Sequence, residues 1–365
     1  MNFIPLLFYS CAFFLLAAYI LSITIAMRGI KANKEQKRSK SNKNIKPDII
    51  IAYHNEEKKL PALIKDLLSQ THKQFRVLWV NDSSTDNSAT IIRKQGKQLD
   101  QYLLNNPEKG KKQAIRYAIR ETNAPLWLFT DADCRLPCTW VSDYITHFEN
   151  QGSGLYFGSV IYNANNWLEK IFALEFLSLT GTGTGLALKG MPVYMNGANY
   201  AITSDLGSAY NRSKDAHLAS GDDVFLLHTV KKHFGPEKIK ACPDRSMIVK
   251  TASPTTLKTF IKQRMRWGGK ATAYRDWHAQ GLAILVFSIT SAQLASFFFI
   301  QYWLPFIMLW LGKIITDFIA LHTYSLSWKQ PGWVKSFFIM APLYPFYIFT
   351  TAMLGLISPA NKWLK

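Results

Sequence analysis

The sequence predicts an α/β protein whose mostly parallel sheet is flanked by transmembrane helices at both ends. Three observations carry that prediction. Short apolar, β-branched runs alternate with helix-periodic segments from Asp48 to Asp131, and strands separated by helices are joined by right-handed crossovers that leave neighbouring strands parallel. Apolar runs long enough to cross about 30 Å of hydrocarbon lie near both termini. Tyr53, Asp82 and Asp131 each fall at the end of a predicted strand, and ligands of such sheets bind beyond the carboxyl ends of the strands.

The first 27 residues carry no Lys, Asp or Glu, and the run Phe3 to Ala26 is apolar enough and long enough to span. A signal peptide would need a positive leading segment and a shorter apolar core, so residues 1–27 are read as a transmembrane helix. Arg28, Lys31, Lys34, Lys37, Arg38, Lys40, Lys43 and Lys46 follow, against one acid, Glu35. Positive flanks stay in the cytoplasm, so residues 28–46 are a basic juxtamembrane linker and the next domain is expected on the cytoplasmic side. A nucleic-acid patch is the rival explanation of the basic run. Its position against a spanning helix favours topology and attraction to anionic lipid instead, and no nucleic-acid partner is expected.

The composition narrows the class further. With 43 basic and 24 acidic residues the formal net charge is +19, yet 48% of residues are hydrophobic and only 18% charged, which excludes a disordered chain. Four cysteines are too sparse for a disulfide framework. They are read as reduced thiols facing the cytosol, and Cys134 and Cys138, lacking a second pair at metal spacing, as ordinary ones.

In the soluble part, Asp48 to Tyr53 reads as a strand. Leu60, Leu63, Ile64, Leu67 and Leu68 then recur with helical periodicity. Phe75 to Val80 is a second strand, Asn81 to Thr85 a turn with capping residues, and Asp86 to Leu99 a helix. A third strand is expected at Tyr102 to Leu104, a helix from about Gly110 to Glu121, and a fourth strand at Leu126 to Thr130. The stretch from about Leu155 to Thr251 reads as mixed short strands and helices. Leu282 to Phe299, Tyr302 to Ala320 and Phe337 to Ile357 are three further apolar segments, the second interrupted by Lys313 and Asp317, the third by Pro342, Pro345 and Gly355. Three C-terminal spans are expected, the last a span or a re-entrant or interfacial segment, and Lys362 and Lys365 at the end fit poorly with an external C-terminus. The expected division is therefore 47–254 for the catalytic domain, 255–280 for an interfacial amphipathic segment and 281–365 for the C-terminal membrane region.

Several polar clusters suggest chemistry. Asp131-Ala-Asp133 leaves a strand tip as two carboxylates spaced to share one hard cation, and Mg²⁺ or Mn²⁺ often bridges a protein carboxylate to substrate phosphates; a solvated pair or a helix cap is the plain alternative. Asp82 is the candidate for a nucleotide base or ribose, whereas Asp86 is read as a turn residue. Lys109-Gly-Lys-Lys112 opens a helix whose amide groups and ammonium groups suit a diphosphate, or forms a solvated basic turn. Thr180-Gly-Thr-Gly-Thr-Gly185 has neither a preceding strand nor a following Lys-Ser/Thr and is read as a flexible connector. Gly221-Asp-Asp223 either caps the apolar helix that follows or supplies a general base for a hydroxyl proton. Gln263-Arg-Met-Arg-Trp267 lies in a basic amphipathic stretch that suits a membrane interface, or a guanidinium on a departing diphosphate with an indole beneath a sugar ring.

In order, Asp82, Asp131-Ala-Asp133, Gly221-Asp-Asp223 and Gln263-Arg-Met-Arg-Trp267 resemble the D, D-x-D, E/D-D and Q-x-x-R-W motifs of membrane-integrated family 2 glycosyltransferases of the GT-A fold. Cellulose, chitin and hyaluronan synthases and ceramide glucosyltransferase belong to that group. The resemblance covers about residues 47–280 together with the transmembrane layout. It implies a GT-A domain in which Tyr53, Glu56, Asp82 and Lys109 line the nucleotide pocket and Asp131 and Asp133 serve a Mg²⁺ or Mn²⁺ ion and the diphosphate. Asp223 is then the catalytic base with Asp222 beside it, and Arg266, Gln263 and Trp267 lie near the diphosphate and acceptor. Asn196-Gly-Ala-Asn199 is similar to the family's acceptor-side G-x-N segment, which puts Asn199 in that group.

The implied function is an inverting transfer of a sugar from a nucleotide-diphosphate sugar to a lipid or growing glycan acceptor, by an integral protein of the plasma or inner membrane in contact with its lipids. Nucleotidyl transfer would share the sheet and the metal but gives Gln263 to Trp267 no role. A basic membrane-anchored binding protein for anionic lipid or nucleic acid would explain the charge and leave four ordered motifs as coincidence.

Overall fold

The computed structural model describes residues 3–33, 44–212, 222–269 and 273–357. Lys34 to Lys43 of the basic linker, Gly221 and the side chain of Asp222 lie outside the described residues, as do Lys362 and Lys365. The chain divides into two compact units. One comprises residues 33–163 and 194–252, the other residues 1–32, 164–193 and 253–365.

Among the described residues of the first unit, seven strands form one sheet in the order β3-β2-β1-β4-β7-β5-β8. These are β1 (Asp48–Tyr53), β2 (Arg76–Asn81), β3 (Asp100–Asn105), β4 (Leu126–Phe129), β5 (Leu155–Gly158), β7 (Tyr200–Thr203) and β8 (Ile239–Cys242). β6 (Val160–Asn163) and β9 (Val249–Ala252) pair parallel in a small second sheet. β1 runs parallel to β2 and β4, and β2 to β3, with Tyr53 opposite Asn81 and Ile50 opposite Phe129. Only β7 reverses, pairing antiparallel with β4 and β5. The crossovers are α2 (Leu60–Leu68), α3 (Ser88–Gln95) and α4 (Lys111–Arg120), and α5 (Trp140–Gln151) follows β4. The central strands are buried on both faces: the successive side chains Ile49 and Ile50, Val77 and Leu78, and Leu128 and Phe129 point to opposite sides and are all buried, as a parallel sheet covered by helices requires. The expected helix over 86–99 is confined to 88–95, because Asp86 turns back to bond the amides of Glu57 and Ser88 and Gly96 closes the C-terminus.

The second unit contains α1 (Phe3–Ala32), α6 (Trp167–Ala187), α9 (Leu257–Gly268), α10 (Trp277–Ala295), α11 (Trp303–Trp328) and α12 (Val334–Ile357). Among the described residues four stretches, Phe3–Ala32, Trp277–Phe299, Trp303–Trp328 and Val334–Gly355, are long and apolar enough to cross a membrane. On α1 the buried side chains Tyr9, Ala12, Leu16, Tyr19, Ile23, Ala26 and Ile30 recur every three or four residues, while Phe3 and Phe14 on other faces are 81% and 77% exposed. That stripe packs on protein and the remainder suits lipid. α12 continues through Pro342 and Pro345 as one helix. Lys313 and Asp317, one turn apart on α11, pair at 2.6 Å, and the Tyr19 hydroxyl donates to Asp317 at 2.6 Å. Pairing of this kind is what lets charged side chains sit in an apolar bundle.

The Thr180 to Gly185 repeat is not a connector. It forms the C-terminal half of α6. A Cβ at Gly185 would overlap the carbonyl of Ala26, and one at Gly29 would overlap that of Gly185, so the backbones of α1 and α6 touch directly. Small residues are the ones that permit such an approach.

Candidate active site

The carboxyl ends of β1, β2 and β4 lie along one edge of the parallel sheet, and the loops leaving them are pinned to each other. Asn55 and Ser83, just past β1 and β2, adopt left-handed φ of 54° and 60°, a conformation uncommon outside glycine that surrounding contacts must hold. The Asn55 amide donates to Ser84 Oγ at 3.1 Å and its side-chain oxygen accepts from the Thr85 amide at 2.8 Å. His54 Nδ1 donates to the Asp82 carbonyl at 2.7 Å, and the Glu56 amide donates to Ser88 Oγ at 2.9 Å. The rim is thus built from short polar side chains that read locally as turn formers.

Within that rim Tyr53 is buried, packed edge-on to Trp79 at 6.5 Å between centroids. Burial pushes its hydroxyl up to about 12, with Arg93 opposing and Asp86 adding. The Asp82 carboxylate accepts from the Gly110 amide at 2.8 Å and from Asn106 Nδ2 at 2.9 Å. It therefore fixes the turn that opens α4, where Gly110 takes φ 109°. That turn leaves Lys109 exposed and carries Lys111 onto Asp131, with which it forms an ion pair. Asp133 accepts from Thr251 Oγ1 at 3.4 Å and lies 3.8 Å from Lys59 Nζ, which also reaches Glu56 at 3.2 Å. Burial raises the Glu56 carboxyl; Lys59 opposes this and Asp133 and Asp131 add to it. Three half-buried carboxylates, Glu56, Asp131 and Asp133, therefore share two ammonium groups. No group of three His, Cys, Asp or Glu side chains is close enough to hold a metal by itself among the described residues.

Asp223 stands in the first turn of α8 (Asp222–Phe234). Its carboxylate accepts from the Gly197 amide at 2.8 Å and from the Val224 amide at 2.9 Å, so the two segments expected on the acceptor side do meet. Asn199 is placed otherwise than expected. It lies in the turn before β7, its amide donating to the Asn196 carbonyl at 3.2 Å, and its side chain is fully buried rather than turned to an acceptor. Its oxygen accepts from Trp140 Nε1 and Tyr144 OH, both at 2.8 Å, and its nitrogen donates to the carbonyls of Ser159 at 2.9 Å and Met247 at 2.8 Å. An amide with four such partners faces the core and has nothing left for a ligand.

In the helical unit, α9 starts with a reciprocal cap between Thr256 and Thr259. Gln263 and Trp267 are half-buried on it and Arg266 is exposed. Sequence reasoning passed over Lys59, Lys111 and Arg264. Lys111 stood in the basic turn noted above, and Glu175, the partner of Arg264, stands between apolar neighbours in the middle of α6.

The model for glycosyl transferase family 2 matches residues 48–204, and that for glycosyl transferase family group 2 matches residues 128–359, well over half of the chain. The chain belongs to glycosyltransferase family 2. It is 25% identical over 255 residues to the poly-beta-1,6-N-acetyl-D-glucosamine synthase of Staphylococcus aureus, covering 64% of this chain and 59% of that one. It is 28% identical over 105 residues to the teichoic acid poly(glycerol phosphate) polymerase of Staphylococcus epidermidis, covering 28% of this chain and 15% of the other. The transferase thus spans about six tenths of the first relative's length and a small part of the second's. Among solved structures, the mannosyltransferase of Pyrobaculum calidifontis, determined with GDP-Man and Mn²⁺, aligns over 98% of this chain and 99% of its own, with a TM-score of 0.54 and 15% identity. That likeness concerns the fold, which is the GT-A type expected from the sequence.

Proposed function

We propose that this glycosyltransferase moves a sugar, with inversion at the anomeric carbon, from a nucleotide-diphosphate sugar to a lipid or growing glycan acceptor at the cytoplasmic face of the membrane. Residues 47–254 are its catalytic domain. The observation that carries the reading is the cluster of Glu56, Asp82, Asp131 and Asp133 along the carboxyl edge of β1, β2 and β4, with Lys59 and Lys111 on its carboxylates. A set of oxygen ligands with too few members to cage a cation fits Mg²⁺ or Mn²⁺, which keeps open positions for substrate phosphates. Asp131 and Asp133 would hold such an ion, and it would neutralise charge on the leaving diphosphate.

The chain's own groups supply the rest. Tyr53, Glu56, Asp82 and Lys109 hold the nucleotide. Asp223, steadied by the Gly197 amide, takes the proton of the acceptor hydroxyl as its oxygen bonds to the anomeric carbon and the bond to the diphosphate oxygen breaks on the opposite face. Arg266 meets the negative charge that develops on the leaving group, a preorganised positive charge that lowers the barrier. Gln263 and Trp267 orient the acceptor with Asp222. The relation to a poly-N-acetylglucosamine synthase supports a glycan acceptor and places N-acetylhexosamine donors first for testing.

The test is a donor screen with the full chain in detergent and membrane lipid, reading released nucleoside diphosphate and glycosylated product. Turnover of one donor by the wild type and not by Asp223→Asn is expected. Equal release by both proteins for every donor refutes the reading.

A further inference from the structure

A charged pair lies where the motif helix α9 meets α6 and α12. Arg264 is 5% exposed and the Glu175 side chain 11%. The guanidinium donates to Glu175 Oε2 through Nε at 2.9 Å and also through Nη2, and through Nη1 to Gln263 Oε1 at 2.7 Å. The other Glu175 oxygen accepts from the Tyr347 hydroxyl of α12 at 3.1 Å. The plane of the guanidinium is enclosed by rings, with Trp267 at 4.2 Å and Phe260 at 4.6 Å. Phe260 in turn stacks on Phe172 of α6 at 4.1 Å.

Arg264 thus touches two of the residues assigned to the acceptor step, Gln263 and Trp267, while its charge is anchored on a different helix. Well-packed apolar side chains would hold the same helices at least as firmly as a buried ion pair. What the pair adds is direction: a planar fork bonded along its edge and stacked on its face fixes the roll of α9, which a lysine's point charge would not.

We propose that Glu175, Arg264 and Tyr347 form a positioning device that holds Gln263 and Trp267 in one orientation for glycosyl transfer, making α6 and α12 part of the machinery of the acceptor step. The proposal rests on the site reading given above.

The test uses the full chain in lipid nanodiscs with UDP-N-acetylglucosamine, UDP-glucose and GDP-mannose as donor probes. Arg264→Lys keeps the charge and Glu175→Gln keeps the shape, which guards against one variant failing to fold; Trp267→Phe reports on the site itself. In both positioning variants amide hydrogen exchange should rise in 257–269 and not in the strands of the first unit. With whichever probe the wild type turns over, kcat should fall on the order of 10- to 100-fold, the scale of a small misplacement, at unchanged donor KM. If Trp267→Phe lowers kcat while Arg264→Lys and Glu175→Gln retain it, the positioning role is wrong. If Trp267→Phe leaves kcat intact, or no probe is turned over, the site reading fails and this proposal with it.

Discussion

Replacing Asn199 by alanine separates a structural role from a ligand-binding one. The buried amide is the acceptor for the Trp140 indole and the Tyr144 hydroxyl and the donor to the carbonyls of Ser159 and Met247. The Ser159 carbonyl would keep a partner, since it also accepts from the Val249 amide at 3.1 Å. The Tyr144 hydroxyl likewise still accepts from the Gly158 amide at 3.2 Å, but its own proton, the Trp140 indole N–H and the Met247 carbonyl lose their partners inside a fully enclosed pocket. Each stranded buried group costs about 1–3 kcal/mol. With local relaxation absorbing part of that, a net loss of about 3–5 kcal/mol is expected, in the range reserved for broken buried networks. For a unit of this size the loss corresponds to a drop in unfolding temperature on the order of 10 °C. Thermal unfolding of the full chain in detergent, read by intrinsic fluorescence, measures it. An unchanged unfolding temperature with a raised acceptor KM would show that Asn199 serves the acceptor after all.

Four shorter predictions accompany it. Asp223→Asn should lower kcat by about 10²- to 10⁴-fold, equivalent to roughly 3–5 kcal/mol of barrier, at unchanged donor affinity; parallel loss of donor binding would move the base elsewhere, first to Asp222. Chelation should abolish turnover and Asp133→Ala should weaken Mn²⁺-dependent donor binding, so full activity in excess chelator contradicts the metal assignment. A protease site inserted beside Asn42 should stay protected in intact cells, and external cleavage there would reverse the topology. Gly185→Ala should destabilise the helical unit by about 1–3 kcal/mol, since its Cβ overlaps the Ala26 carbonyl; an unaltered melting curve would show that α1 and α6 separate freely.

Strands β1, β2 and β4 and the four apolar spans were legible because each is declared locally, by β-branched runs or by sheer apolar length. The carboxylates at the strand tips were legible for the same reason, since a strand's end is visible in sequence. Asn199 was not. Whether its amide faces ligand or core depends on Trp140 and Tyr144, delivered by α5 from more than fifty positions away. The Thr180 to Gly185 repeat misled because glycine and threonine are poor helix formers taken alone, whereas the neighbouring α1 rewards them for their lack of bulk. Lys59, and the pairing of Lys111 with Asp131, went unread because exposed lysines carry no pattern until a carboxylate is placed beside them.

The polar residues that interrupt the apolar helices follow a common logic. In lipid, apolar faces gain little by meeting each other rather than acyl chains, so directional contacts and close fit decide which helices pair. Here those contacts converge on α12. Tyr344 covers Lys313 at 4.5 Å, tying α12 to the α11 ion pair that also engages Tyr19 of α1. Tyr347, three residues on, bonds Glu175 and so joins α6 and the Arg264 pair of α9. The side chains that break the hydropathy pattern, Lys313, Asp317 and Glu175, are thus the ones that specify which helices lie together. An apolar residue at any of them would lengthen the apolar run and remove the contact that selects its neighbour.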